Sequence, residues 1–164
     1  MASDVVLRNL AVGDAGWLIQ QHGVLYAEEE GFDPSFEALV AEILADYIRN
    51  HDPTCERAWI AWRGNQRLGS IFCVRGGAPD LAKLRLFLLT PEARGQGLGQ
   101  RMLTECLTYA RTTGYRQMTL WTHESHKAAC ALYTRNGFVL ESSKAVTSFG
   151  VRLIEQQWSL HLTA

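Results

Sequence analysis

Three glycines alternate in a turn that joins an apolar strand to an amphipathic helix, and few folds use such a junction. The segment reads Thr90-Pro91-Glu92-Ala93-Arg94-Gly95-Gln96-Gly97-Leu98-Gly99-Gln100. Before it, residues 81–89 form an apolar run of strand length. After it, residues 97–113 place Leu98, Met102, Leu103, Cys106, Leu107 and Ala110 on one side of a helix. Glycine allows unusual φ values and close approach to the main chain. A helix that opens directly after the turn presents free N–H groups and the positive end of its dipole. That environment predicts a bound anion, above all a pyrophosphate, with Arg94 as a charge-assisted donor at the entrance.

Other glycine motifs fit less well. A Rossmann turn needs G-x-G-x-x-G; Gly95 and Gly97 comply, but the third position is Gln100. A P-loop needs Gly-Lys followed by Ser or Thr, and Gly99 is followed by Gln100 and Arg101. A glycine turn that only redirects the chain remains as the plain alternative.

The rest of the chain supports one α/β domain, 1–164, with no repeat, low-complexity tract or linker. Residues 5–10 predict a strand, and 14–29 a helix weakened by Gly16 and Gly23. A second helix is capped by Asp33, starts on Pro34 and ends near Asn50. Its apolar stripe is Phe36, Leu39, Val40, Ile43, Leu44, Tyr47 and Ile48. The period then becomes two over residues 57–63 and 67–75, joined by a turn at 64–66. Beyond the glycine turn come a strand at 115–121, a helix at 125–136 stopped by Gly137, and closing strands at 138–140 and 149–160. The strand–helix–strand unit over 81–121 predicts a parallel pair inside a mixed sheet.

Composition narrows the partners. A formal net charge of −1 gives no overall attraction to nucleic acid or anionic lipid. No apolar run could span a bilayer, and the N-terminal residues lack a secretory h-region, so a cytoplasmic location is expected. Cys55, Cys73, Cys106 and Cys130 form no CxxC pair and predict free buried thiols. His123 and His126 lack a ligand set at metal spacing, so no metal is expected.

Arg94-Gly95-Gln96-Gly97-Leu98-Gly99 resembles the acetyl-CoA signature of the GNAT acetyltransferases: Arg or Gln, two variable residues, Gly, one variable residue, then Gly or Ala. A second stretch, His126-Lys127-Ala128-Ala129-Cys130-Ala131-Leu132-Tyr133-Thr134-Arg135-Asn136-Gly137-Phe138, looks like the family's Asn-x-x-Ala-x-x-Leu-Tyr-x-x-x-Gly-Phe, with His126 in place of the asparagine. The resemblance implies a mixed, mostly antiparallel sheet of about seven strands. A central parallel pair would splay, with about four helices flanking the sheet. It implies that main-chain groups of residues 94–100, that is Arg94, Gly95, Gln96, Gly97, Leu98, Gly99 and Gln100, hold the pyrophosphate of acetyl-CoA. Leu88 and Leu89 would pair with the pantetheine arm, and His126 would contact the cofactor.

By the same resemblance Tyr133 stands beside the coenzyme A sulfur. A departing thiolate near pKa ~8.5 can take a proton from a phenol near ~10, so Tyr133 would be the general acid. A packing tyrosine on an amphipathic helix is the alternative. The implied activity is transfer of acetyl to a primary amine of a small molecule, amino acid or peptide, directly in a ternary complex. A non-catalytic acetyl-CoA sensor is the competing class. Glu29, His123 and Glu124 are candidate bases, acting through water. His22, Tyr26 and Glu29 share helical spacing; with Trp121 and Arg85 they are candidates for the acceptor site. Strict alternation sets Arg85 on one face with Lys83, Phe87 and Leu89, where it could hold a substrate carboxylate. Residues 17–33 and Trp121-Thr122 also resemble the acetyltransferase half of MarR–GNAT fusion proteins, without a winged-helix half in this sequence. The apolar closing strands could pair across a homodimer.

Overall fold

The computed structural model describes residues 4–163; residues 1–3 and 164, the ends of the expected domain, lie outside the described residues. In chain order the elements are β1 Val6–Arg8, α1 Asp14–Glu30, α2 Pro34–Asn50, β2 Arg57–Arg63, β3 Gln66–Arg75, β4 Leu81–Leu89, α3 Leu98–Thr113, β5 Gln117–His123, α4 Lys127–Arg135, β6 Val139–Ser148 and β7 Val151–His161. A 3-10 turn at Pro91–Ala93 precedes α3.

The middle strands are apolar on both faces because helices cover both. Ala58, Trp59, Ile60 and Ala61 of β2 are all buried. Successive side chains point to opposite faces, so Trp59 and Ala61 join a core under α3 and α4, while Ala58 and Ile60 join a second core under α1 and α2. The second core is built on the α2 stripe that the sequence predicts, with Phe36, Val40, Leu44 and Tyr47 buried. The Asp33 carboxylate accepts from Ser35 N at 2.9 Å and caps α2. Gly23, expected to weaken α1, instead admits α2: a Cβ there would lie 2.6 Å from Glu37 Oε1. No helix among the described residues is long and apolar enough to cross a membrane.

The seven strands lie in the order β1-β2-β3-β4-β5-β7-β6, antiparallel except for the β4–β5 pair. That pair holds register only over Leu81–Lys83 against Gln117–Thr119, and then the strands part. A bulge in β4 accompanies the parting. Ser70 faces Leu88 and Phe72 faces Arg85, so Leu86 and Phe87 together oppose Ile71. Leu86 adopts φ 47°, and its carbonyl accepts from Ser70 Oγ at 2.6 Å. A left-handed leucine is strained backbone, held here by that buried hydroxyl.

The bulge corrects one sequence expectation. Lys83, Arg85, Phe87 and Leu89 do not share a face. Phe87 and Leu89 pack with Ala82 and Leu84 on the α3/α4 core, and Leu86 packs on the opposite core. One inserted residue reverses side-chain parity, so Arg85 stands apart from Phe87 and Leu89.

β6 also differs from expectation. It runs ten residues, not three, and nearly all of them are exposed. An edge strand with no buried face has no apolar alternation to read. It returns to β7 through Phe149 and Gly150, both at positive φ (56° and 79°), a two-residue hairpin turn. The described cysteines are free, but only Cys73 and Cys106 are buried; Cys55 and Cys130 are partly exposed.

Candidate active site

Where β4 and β5 part, a cleft of ≈ 680 Å³ opens between α1 and α2 on one side and α4 on the other. It borders His22, Tyr26 and Glu29 on α1 and Arg85, Leu88 and Leu89 on β4. It also borders Arg94, Gly99, Trp121, His123, His126 and Tyr133. A second cavity of ≈ 700 Å³, beside Tyr47, His51, Arg57 and Tyr109, contains none of these residues. Beyond Lys83 the β4 edge has no partner in β5, so its outward amides and carbonyls face the cleft.

The glycine turn closes one end. Gly95 and Gly97 adopt φ 74° and 80°, and Gly97 is the N-cap of α3 with no side chain capping it. The first intrahelical bond runs from Arg101 N to Gly97 O at 3.1 Å, leaving the amides of Leu98, Gly99 and Gln100 without a helical acceptor. The side chains here hold the turn in shape. Gln96 Nε2 donates to Glu92 O at 2.9 Å, and Gln96 Oε1 accepts from Arg63 at 3.0 Å. Gln100 and Asn136 exchange bonds of 2.8 and 2.9 Å between α3 and the end of α4. Leu98 is buried beneath the helix. The turn therefore presents main chain to a ligand.

Arg94 spans the mouth. Its Nε donates to Leu89 O at 3.2 Å, and its two terminal nitrogens donate to the Glu29 carboxylate at 2.8 and 3.2 Å. Both side chains are over 40% exposed (45% and 43%), so the pair is worth ~0–1 kcal/mol and a phosphate could displace it. Glu29→Gln is accordingly expected to leave coenzyme A affinity unchanged or raise it by up to about threefold in a calorimetric titration. A turnover loss beyond ~100-fold would instead mark Glu29 as the base.

Tyr133 faces the cleft from α4, where only Leu132 and Tyr133 are buried. Its ring lies 5.5 Å from Phe138, 6.2 Å from Trp158 and, across the cleft, 6.4 Å from Phe87. Burial, with a smaller contribution from Tyr26, pushes the phenol far above its ordinary value. The group keeps its proton at neutral pH and can only donate it.

The histidines form a chain around Tyr26. His126 stands at the N-cap position of α4 without capping it through its side chain; its Nε2 stands 3.3 Å from Glu30 Oε1, and its Nδ1 lies 3.4 Å from Thr122 Oγ1. Ser125 Oγ donates to the other Glu30 oxygen at 2.9 Å. Burial lowers the His126 pKa, opposed by the Glu30 charge. His123 packs edge-on to His126 at 5.2 Å; burial, then the His126 charge, lowers it to about 4. Its Nδ1 is buried without a hydrogen-bond partner. Glu124 lies outside the cleft lining, 3.8 Å from Lys127, and Trp121 is half-exposed on the rim.

His22 donates Nδ1–H to Leu18 O at 2.8 Å, and burial lowers its pKa to about 4. The unfolded chain binds this proton near pH 6.5, the folded chain only near 4, so its contribution to stability is full above about pH 6.5 and lost as pH falls toward 4. Denaturant unfolding should show stability declining by ~1–3 kcal/mol across that window. His22→Leu should flatten the slope; an unchanged slope contradicts the burial of a neutral imidazole.

Glu30, Phe149 and Glu155 are among the cleft residues that escaped the sequence reading. Glu30 sits in an acidic run but falls eight residues after His22, a helical spacing that could have signalled it. Phe149 reaches the cleft from the β6–β7 turn, its ring 4.9 Å from Phe32 and 5.0 Å from Phe36. Glu155 arrives through β7 pairing with His123. The latter two depend on long-range pairing and had no local signal.

Residues 21–138, which include both the glycine turn and the Tyr133 helix, match the Acetyltransferase (GNAT) family. The chain belongs to the GNAT acetyltransferase family. The N-acetyltransferase 8F1 of Rattus norvegicus is 28% identical over 127 residues, covering 73% of this chain and 56% of that protein. The chain spans about a third to just over half of the length of the first curated relatives it matches. Among solved structures, an acetyltransferase of GNAT family from Streptococcus pneumoniae superposes with TM-score 0.74 at 17% identity over 97% of this chain and 99% of that one. The spermidine N-acetyltransferase from Vibrio cholerae in complex with CoA and spermine gives 0.74 at 18% identity over 98% and 96%. At these identities the likeness concerns the GNAT fold itself.

Proposed function

We propose that this GNAT chain transfers the acetyl group of acetyl-CoA to a primary amine, directly in a ternary complex. The observation that carries it is one cleft joining an uncapped α3 N-terminus, an unpaired β4 edge and the buried Tyr133 phenol. Residues 94–100 would hold the diphosphate through main-chain N–H groups, with Arg94 released from Glu29 to meet it. The β4 edge at Leu88 and Leu89 would pair with the amide-bearing arm once Arg94 leaves the Leu89 carbonyl. Acetyl-CoA supplies the activated thioester, and Tyr133 would donate its proton to the leaving sulfur. His126 would border the cofactor from the start of α4. The base would be Glu29 or His123, which line the cleft, with water between base and amine; Glu124, outside the lining, is not placed for that role.

Direct transfer fits the cysteines. A hydrogen bond with Cys73, then burial, raises the Cys106 pKa, burial raises that of Cys130, and Cys130 Sγ donates to Gln156 Oε1 at 3.4 Å, so neither of these two is held as a thiolate nucleophile. A closer kinship with the acetyltransferase half of MarR–GNAT fusions would rest on residues 17–33 and Trp121-Thr122 and would not name an acceptor. Titration calorimetry with coenzyme A should give saturable heat, and thiol release should rise with some members of a primary-amine panel. Heat without release on any amine would favour a sensor. The absence of heat would overturn coenzyme A binding altogether.

A further inference from the structure

Arg85 is a cation in the cleft with no counter-ion among the described residues. It lies half-buried on β4, immediately before the bulge at Leu86, and lines the cleft. It has no ion pair or hydrogen bond among the described residues. The carboxylate that acts on it through charge is Asp46 on α2, which is exposed and already accepts from Asn50 at 2.8 Å. Lys83, two residues away, adds like charge. Burial pulls the Arg85 pKa below its ordinary value, in keeping with a guanidinium that has lost water without gaining an anion.

The order along β4 is Arg85, the bulge, Leu88 and Leu89, then the glycine turn. Arg85 is therefore at the end of the cleft away from the diphosphate cradle, the acceptor's end. The α2 wall there is apolar, formed by Phe36, Leu39, Val40 and Ile43. The cleft's acids divide in two. Glu29 and Glu30 are engaged by Arg94 and by His126 with Ser125. Glu155 on β7 also lines the cleft and has no ion-pair partner among the described residues. One unpaired cation and one unpaired anion across an apolar chamber fit a zwitterion better than a polyamine.

We propose that the acceptor is an amine of the α-amino-acid type with an apolar side chain, its carboxylate held by Arg85. This rests on the acetyl-transfer function above. The guanidinium fork matches a carboxylate through two parallel N–H···O bonds. The apolar side chain lies along α2.

The test compares leucine, methionine and phenylalanine with their carboxamides and with the matching decarboxylated amines, using the full chain. Binding is measured by calorimetry with coenzyme A present, and turnover by thiol release. The acids should bind at least ~10-fold more tightly than their carboxamides, with a matching gap in kcat/KM. Arg85→Gln should erase that gap while coenzyme A affinity stays within about threefold, and Arg85→Lys should keep part of it. Equal binding of acid and carboxamide by the wild type, or an unchanged gap in Arg85→Gln, overturns the carboxylate subsite. If Arg85→Gln does not fold, the wild-type gap and the partial loss in Arg85→Lys decide. Coenzyme A heat with no acid preference removes the subsite and leaves acetyl transfer. An acid preference with no coenzyme A heat does the reverse.

Discussion

Tyr133→Phe is expected to lower kcat by about 10²–10³-fold while coenzyme A affinity changes by less than about threefold. The substitution removes one oxygen and keeps the ring that packs against Phe138, Trp158 and Phe87. The buried phenol holds its proton far above neutral pH, so the wild type arrives with the acid loaded. Without that proton the thiolate must leave unassisted or find water in an enclosed cleft. Ground-state binding depends on main-chain groups of the glycine turn and β4, which the substitution leaves in place. Steady-state kinetics and calorimetry on one preparation check both halves. Equal losses in kcat and affinity would show that the hydroxyl binds and does not catalyse.

Gly97→Val is expected to weaken coenzyme A binding by at least ~30-fold. An added Cβ at Gly97 would meet nothing within 4 Å, so no clash is at issue. The obstacle is φ +80° at the N-cap of α3, a left-handed conformation that costs an L-residue ~1–2 kcal/mol and a β-branched one more. The chain relieves that strain by rotating the 96–97 backbone. The rotation turns the amides of Leu98, Gly99 and Gln100 away from a common point. Gly97→Asn tolerates the left-handed region better and should lose less. Circular dichroism should show the helices retained in both variants. Wild-type affinity in a folded Gly97→Val would mean that the diphosphate is held elsewhere.

These two variants probe what local sequence could signal. The glycine turn and the Tyr133 helix are short contiguous segments whose spacing is set by backbone geometry, so their residues are legible without neighbours. The α2 stripe and its Asp33 cap are legible for the same reason. The bulge at Leu86 is different. Nothing in Leu84-Arg85-Leu86-Phe87 marks a left-handed leucine, because the extra residue exists only relative to Ile71 on the next strand. The exposed β6 gave no alternation, since neither of its faces is buried.

The sequence by itself determined the order of strands and helices, the glycine turn at the start of α3, the Tyr133 helix and the family, because each resides in a local pattern of spacing and chirality. Tertiary structure alone decided that Arg94 grips Glu29, that Glu30 meets His126, and that Arg85 stands without a counter-ion on the far side of a bulge. Those facts depend on which strands pair and in what register. Register is settled by packing two cores against one sheet, a competition among residues far apart in the chain.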